Sequence, residues 1–277
     1  MEKIKIYPIG SFANDGWRDE FIQNFPDYEF DDPRNHPQSS ITKLDYSDIF
    51  SAMNSPISIV YLQEGKRAGT MSYCELGASR ARGNTIIAID EDQDKDSLIK
   101  EISSHYLTSR KSLHELLDKK ELKGKFEKLE PFDKTSTNTP YQSILFTGDL
   151  IQMRGLMDEM KKTKKVYENM DLNDLSNFAN KVDLIVVNFE KGKPHDKVGL
   201  FFMGLGYALN IPILELEGNV IPYPPLLGLS RIVLIGKERF DHAEFYLKNL
   251  TSQHIKDEAL VYYNLMNKFN IESTKLL

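Results

Sequence analysis

The stretch from residue 57 to residue 89 constrains the fold more than any other part of the chain. Ile57-Ser58-Ile59-Val60-Tyr61-Leu62 is a continuous apolar run and reads as a buried strand. A polar loop follows, then a helix predicted from about Ser72 to Arg82. A second apolar run, Thr85-Ile86-Ile87-Ala88-Ile89, reads as another strand. Strand, loop, helix, strand is one βαβ unit. In an open parallel sheet, ligands bind at the carboxyl ends of the strands, where this loop lies. Glu75, in the first turns of the helix, then faces that crevice. The helix dipole favours a carboxylate there, so Glu75 is expected to stay ionised. An ionised, positioned carboxylate is what a nucleophile for a glycosidic carbon must be. The same position also suits an ordinary acid that caps a helix.

The rest of the chain repeats this pattern. Residues 4–9 read as a first strand, ending in a tight turn at Gly10 and Ser11. Trp17 and Arg18 open a helix that stops before Pro26, and residues 28–30 form a short strand. Pro33 and Pro37 make the loop at Asp32, Arg34 and His36 fixed and non-helical. That loop is either a solvated surface turn or a pocket wall presenting Arg34 to an anion. Residues 45–53 read as a helix with Asp45 and Asp48 on one face. Asp45 suits a cap, whereas Asp48, inside the helix, suits the crevice. Residues 91–130 are charged and helix-forming, with two or three helices expected. Residues 131–141 are polar and breaker-rich, the best linker. Beyond it, residues 143–148 read as a strand ending in glycine, and residues 154–160 open a helix. Asp171 and Asp174 match Asp45 and Asp48 in spacing. Residues 184–189 match the Ile57 strand, and Gly204-Leu205-Gly206 matches Glu75-Leu76-Gly77 with glycine in place of the glutamate. Matching elements in matching order indicate an internal duplication. The division is a first lobe with a helical extension at 1–130, a linker at 131–141 and a second lobe without the glutamate at 142–277. Two terminal helices are expected near residues 240–250 and 253–269.

Composition narrows the function classes. Hydrophobic residues at 40% with 10% aromatics suit a globular chain of 277 residues. A net charge of −6 argues against nucleic-acid binding as the main task. The single cysteine, Cys74, excludes an intramolecular disulfide and reads as a small buried helix residue. No run approaches the ~20 apolar residues of a membrane span, and no secretory leader is visible, so a cytoplasmic location is expected. There is no phosphate-binding P-loop and no dinucleotide fingerprint. The six histidines show no metal spacing and read as surface or core residues. No cofactor and no metal are expected.

Ile9-Gly10-Ser11, Trp17-Arg18, Asp32-Pro33-Arg34, Asp48-Ile49 and Glu75-Leu76-Gly77 occur in an order and spacing that resembles the nucleoside 2-deoxyribosyltransferase family and its nucleotide N-glycosidase relatives. The likeness covers roughly the first 90 residues, and Asp196 with Gly204–Ala208 carries a fainter one. It implies a flavodoxin-like sheet with helices on both faces in each lobe, acting on a small-molecule nucleoside or nucleotide. It implies that Glu75 attacks the anomeric carbon and that Asp48, or Asp45, serves the leaving base. Gly10, Ser11, Phe12 and Trp17 would shape the pocket beside Arg18, Asp32 and Pro33, with Arg34 lining it. The chain departs from the family at Gly69, where an aspartate is usual. Lys66 and Arg67, with Ser72 at the helix start, point instead to a phosphate. Asp196 could bind a hydroxyl. A nucleotide-binding sensor without turnover is the alternative. Family members commonly share sites across subunits, so the resemblance implies that the second lobe could complete the first lobe's pocket as a built-in partner; a homo-oligomer is compatible, although the fused pair lessens the need for one.

Overall fold

The computed structural model describes residues 3–10, 16–36, 41–65, 68–93, 96–119, 122–132, 140–168, 170–218 and 223–249. The side chains of residues 41–46 and 224 lie outside this set. Two five-stranded parallel sheets dominate. The first holds β1 (Ile4–Ile9), β2 (Tyr28–Phe30), β3 (Ile57–Leu62), β4 (Thr85–Asp90) and β5 (His105–Leu107), in the order β2-β1-β3-β4-β5. The second holds β6 (Ser143–Gly148), β7 (Lys165–Tyr167), β8 (Leu184–Phe189), β9 (Ile213–Glu217) and β10 (Ile232–Ile235), in the order β10-β9-β8-β6-β7. Read from the opposite edge, the second order repeats the first. The expected α/β class with two flavodoxin-like lobes is therefore the observed one. The inner strands β3, β4 and β8 are buried at every residue, which is why their sequences are unbroken apolar runs.

Two short strands escaped the sequence. Residues 91–130 contain helices α4 (Ser97–Ile102) and α5 (Arg110–Lys119), but His105–Leu107 between them is the edge strand β5. Three half-buried residues are too few to display a period; β5 exists because Ile87 and Ile89 of β4 offer it a paired register. Strand β7 pairs with β6 in the same way. The first of the two expected terminal helices is α10 (Arg239–Asn249). The last expected helix, 253–269, lies outside the described residues, as does most of the linker.

The lobes meet through α3 (Thr70–Ala81) and α8 (Lys197–Ala208). Both the helix starts and the strands preceding them, β3 and β8, are offset by 127 residues. In that register Gly77 corresponds to Gly204, and Cys74 to Phe201. A Cβ on Gly77 would stand 2.0 Å from the Phe201 carbonyl oxygen, and one on Gly204 would stand 1.8 Å from the Cys74 carbonyl oxygen. The contact is thus a pseudo-two-fold seam in which each helix lays its backbone against the other's glycine. This corrects the sequence alignment of the lobes. Gly204 stands where Gly77 stands, and the residue in Glu75's place is Phe202. A shared Leu-Gly pair drew the sequence match two residues out of register.

Helix α2 (Ile41–Asn54) is bolted to α3 by buried polar contacts. The Ser79 hydroxyl donates to the Ala52 carbonyl at 2.9 Å and lies 2.7 Å from the Ser58 hydroxyl on β3. Asn84 Nδ2 donates to the same Ala52 carbonyl at 2.8 Å. These bonds satisfy carbonyls at the end of α2 that have no helical partner. They also hold Asp48 of α2 in register with Glu75 of α3. The second lobe has only a short counterpart, α7 (Phe178–Lys181). Asp171 and Asp174 are exposed in turns ahead of it, and Asp174 accepts a hydrogen bond from Ser176.

Candidate functional site

Order 2-1-3-4-5 reverses direction between β1 and β3, and the crevice at that switch point is where flavodoxin-like folds place ligands. Glu75 lies in the second turn of α3 and Asp48 in α2, helices that both contact β1. Both are almost fully buried, at 6% and 5% exposure. Arg18, completely buried in α1 (Gly16–Asn24), donates from Nη2 to the Gly10 carbonyl at 2.7 Å. Gly10 permits this approach: a Cβ there would lie 3.3 Å from the Trp17 ring and 3.5 Å from Arg18 Nη2.

His36 completes the group. Its Nδ1 lies 2.6 Å from Asp48 Oδ1, and its Nε2 lies 3.1 Å from Asp31 Oδ1 and 3.3 Å from the Ser51 hydroxyl. Its ring is parallel to Tyr7 within 3°, at 6.2 Å between centroids. Sequence reasoning treated His36 as a surface or core residue. The usable signal was its place between Pro33 and Pro37, in a loop too rigid to let a side chain wander.

The electrostatics follow from burial. Desolvation first, and the Asp48 carboxylate second, push the Glu75 carboxyl up to about 8; Arg18, His36 and Tyr7 pull the other way. Burial also raises Asp48, against the hydrogen bond and charge of His36. Burial disfavours the His36 imidazolium, yet its bonds to Asp31 and Asp48 overcome that and raise it to about 9. Asp31 is lowered, chiefly by its bond to His36. Tyr7 is raised well above its usual value by burial, then by Glu75 and Asp48. Its buried hydroxyl lies close enough to Glu75 for each to perturb the other, but meets no described atom in hydrogen-bond geometry. The expectation that Glu75 stays ionised is therefore corrected. A helix dipole supplies about 0.3–1 kcal/mol and fades beyond the first turn, whereas one unit of pKa is worth about 1.4 kcal/mol. Burial beside a second carboxyl wins. Near neutrality the protonated form of Glu75 is therefore the favoured one.

The other expected site residues differ in their surroundings. Trp17 is buried in the core of the sheet's outer face, edge-on to Phe21 at 5.2 Å and Tyr61 at 5.4 Å. Asp32 caps the turn at Pro33–Asn35, and its carboxylate accepts from Arg34 N, Nε and Nη2. Arg34 Nη2 also bonds Asp19 at 2.7 Å, so the guanidinium expected to grip an anion is engaged by two internal carboxylates. Ser72 is buried in the first turn of α3. Ser11, Phe12, Lys66 and Arg67 lie outside the described residues, as does the side chain of Asp45. Cys74 is buried as expected.

Two of the cavities border α8 of the second lobe. One of about 770 Å³ lies between the lobes beside Thr70, Tyr73, Asp96, His195 and Lys197. There Lys197 Nζ lies 3.0 Å from Asp96 Oδ1, and the Tyr73 hydroxyl donates to Asp96 Oδ2 at 2.6 Å. Asp196, expected to meet a hydroxyl, caps α8 through Gly199 N at 2.8 Å. The other, about 340 Å³, opens beside Gly148, Asp171, Val198 and Phe202. Among the described residues no cluster of three or more His, Cys, Asp and Glu could hold a metal, and no helix is long and apolar enough to cross a membrane. Compared with known proteins, the chain matches no family model and no curated protein.

Proposed function

We propose that this chain cleaves or transfers at the N-glycosidic bond of a (2-deoxy)nucleoside or nucleotide, with Glu75 as nucleophile and Asp48 serving the leaving base. One observation carries the reading: two buried carboxyls, Glu75 and Asp48, come from different helices, and the charge of Asp48 adds to burial in raising the Glu75 carboxyl. A sugar carbon leaving a base passes through an oxocarbenium-like state. It needs one carboxylate to attack and one proton for the departing group. A pair that holds one proton supplies both. Buried Arg18 lowers both carboxyls and keeps their ionised forms accessible. The motif order from Gly10 to Gly77, similar to that of the nucleoside 2-deoxyribosyltransferases, supports the same substrate class.

The test is base release, resolved by chromatography, from deoxynucleosides and their 5′-monophosphates, with and without an acceptor base. Release should fall by at least about 10³-fold in Glu75→Gln. Dependence on the acceptor base separates transfer from hydrolysis. Undiminished release in Glu75→Gln would remove Glu75 from the reaction.

A further inference from the structure

His36 has no part in the reaction as just stated, yet it is the best-anchored side chain at the site. Both ring nitrogens face carboxylate oxygens, Asp48 on one side and Asp31 on the other. An imidazole that must satisfy two carboxylates needs an N–H at each nitrogen, which only the imidazolium has. Lys5 Nζ, 3.8 Å from Asp31 Oδ2, steadies the outer carboxylate. The stacked Tyr7 ring and the Ser51 hydroxyl fix the plane of the imidazole. The arrangement runs from Lys5 through Asp31 and His36 to Asp48 and ends at Glu75.

We propose that His36 is a positioning residue: clamped between Asp31 and Asp48, it holds Asp48 as a carboxylate and confines the site to one mobile proton, resident on Glu75 and passed through Asp48 to the leaving base. This deepens the function proposed above and rests on it for the chemical step. One proton is what that step consumes. The bond between C1′ and the base nitrogen breaks with its electron pair going to the base. A bond from C1′ to a Glu75 oxygen forms, and the proton that Glu75 gives up reaches the base through Asp48. A second proton, on Asp48, would leave it unable to accept from Glu75, and the nucleophile would stay neutral. His36 opposes that second proton by charge and by hydrogen bond. Among the described residues, the groups that act on the pair are Tyr7 of β1, Arg18 of α1, and Asp31 and His36 of the loop after β2, while Ser51 of α2 bonds His36.

The experiment compares the pH dependence of kcat/KM in the wild type, His36→Gln and Asp31→Asn, alongside ¹³C NMR titration of the Asp48 carboxyl carbon in each. Glutamine keeps a donor for Asp48 but carries no charge, so the second proton should bind at higher pH. The acid limb and the Asp48 midpoint should both rise by at least about one pH unit in His36→Gln. Asp31→Asn, which weakens the imidazolium from outside, should move both in the same direction by less. A lower kcat with an unmoved limb and an unmoved Asp48 midpoint would overturn the proposal and leave His36 merely structural. If His36→Gln does not fold, Asp31→Asn decides through the same readouts, and an unmoved midpoint there also overturns it. The NMR arm needs no turnover, so a chain that releases no base fails the glycosidic reading and still tests the clamp.

Discussion

The two lobes share a sheet order and a glycine seam but not a set of buried charged side chains. In the first lobe, a full α2 carries Asp48 to Glu75, and His36 and Arg18 close around them. In the second, the short α7 leaves Asp174 in solvent, and Phe202, 2% exposed and stacked on Phe178 at 5.8 Å, takes Glu75's place. The positions the two lobes keep in common, Gly77 and Gly204, are those that packing requires. Among the positions where they differ are Glu75 and Phe202, the place given to the nucleophile in the proposed reaction. A duplicated fold can lose its reactive groups one by one while its seam stays fixed, because a Cβ at the seam meets backbone, whereas a crevice tolerates a change of side chain. Each lobe nevertheless buries one carboxyl that burial pushes up to about 8, Glu75 in the first and Glu215 in the second. Glu215 sits on β9 beneath Ser230, which donates to it at 2.6 Å.

The comparison can be broken most forcefully at Phe202. Phe202→Glu puts a carboxyl at Glu75's position in a lobe where the same offset of 127 puts buried Leu175, not an aspartate, in Asp48's place. It should cost about 4 kcal/mol of stability, from lost packing and an unpaired buried acid, measured by denaturant unfolding. In the background of Glu75→Ala it should restore no base release. Restored release would make the lobes chemically equivalent.

Next in size is the seam. Gly204→Ala drives a Cβ into the Cys74 carbonyl and should destabilise by about 3 kcal/mol, with Gly77→Ala close behind. Near-neutral values from chemical denaturation would mean the lobes can slide apart freely, and the seam would not be what conserves the glycines between them.

The smallest effect sharpens the contrast between the buried carboxyls. Glu75 titrates near 8 when folded and near 4.5 in its ordinary state. Between those values the folded chain holds a proton that the unfolded chain has released, so stability is fully present below about 4.5 and falls as pH rises towards 8. Glu215 has the same sign and the same window. Glu75→Gln and Glu215→Gln should therefore each raise Tm by a few degrees above pH 8 and change it little at pH 4. Only Glu75→Gln should also abolish base release. Equal gains at both pH values would show that the carboxyls are not neutral in the folded protein, and lost release in Glu215→Gln would draw the second lobe into the chemistry.

Much of this was legible in the chain itself. Residues 57–62, 85–90 and 184–189 are apolar throughout, and a strand covered on both faces cannot be otherwise, so the sheets and their duplication are written locally. Glu75 stood out because a carboxylate after such a strand is placed at the crevice. Strands β5 and β7 were not legible, since three residues carry no period and exist only through their neighbours' hydrogen bonds. The partner of Gly204 was not legible either, because a helix seam is set by register across two lobes rather than by any pair of letters.

The sequence by itself determined the α/β class, the repeat and the identity of two carboxyls worth watching. Only the tertiary structure decided which form those carboxyls take. Ionisation depends on burial and on charges a few ångströms away, and those distances arise from α2 docking on α3 by way of Ser79 and from a loop that swings His36 between Asp31 and Asp48. Residues as far apart in the chain as Tyr7 and Glu75 set one another's protons, and no local pattern records that.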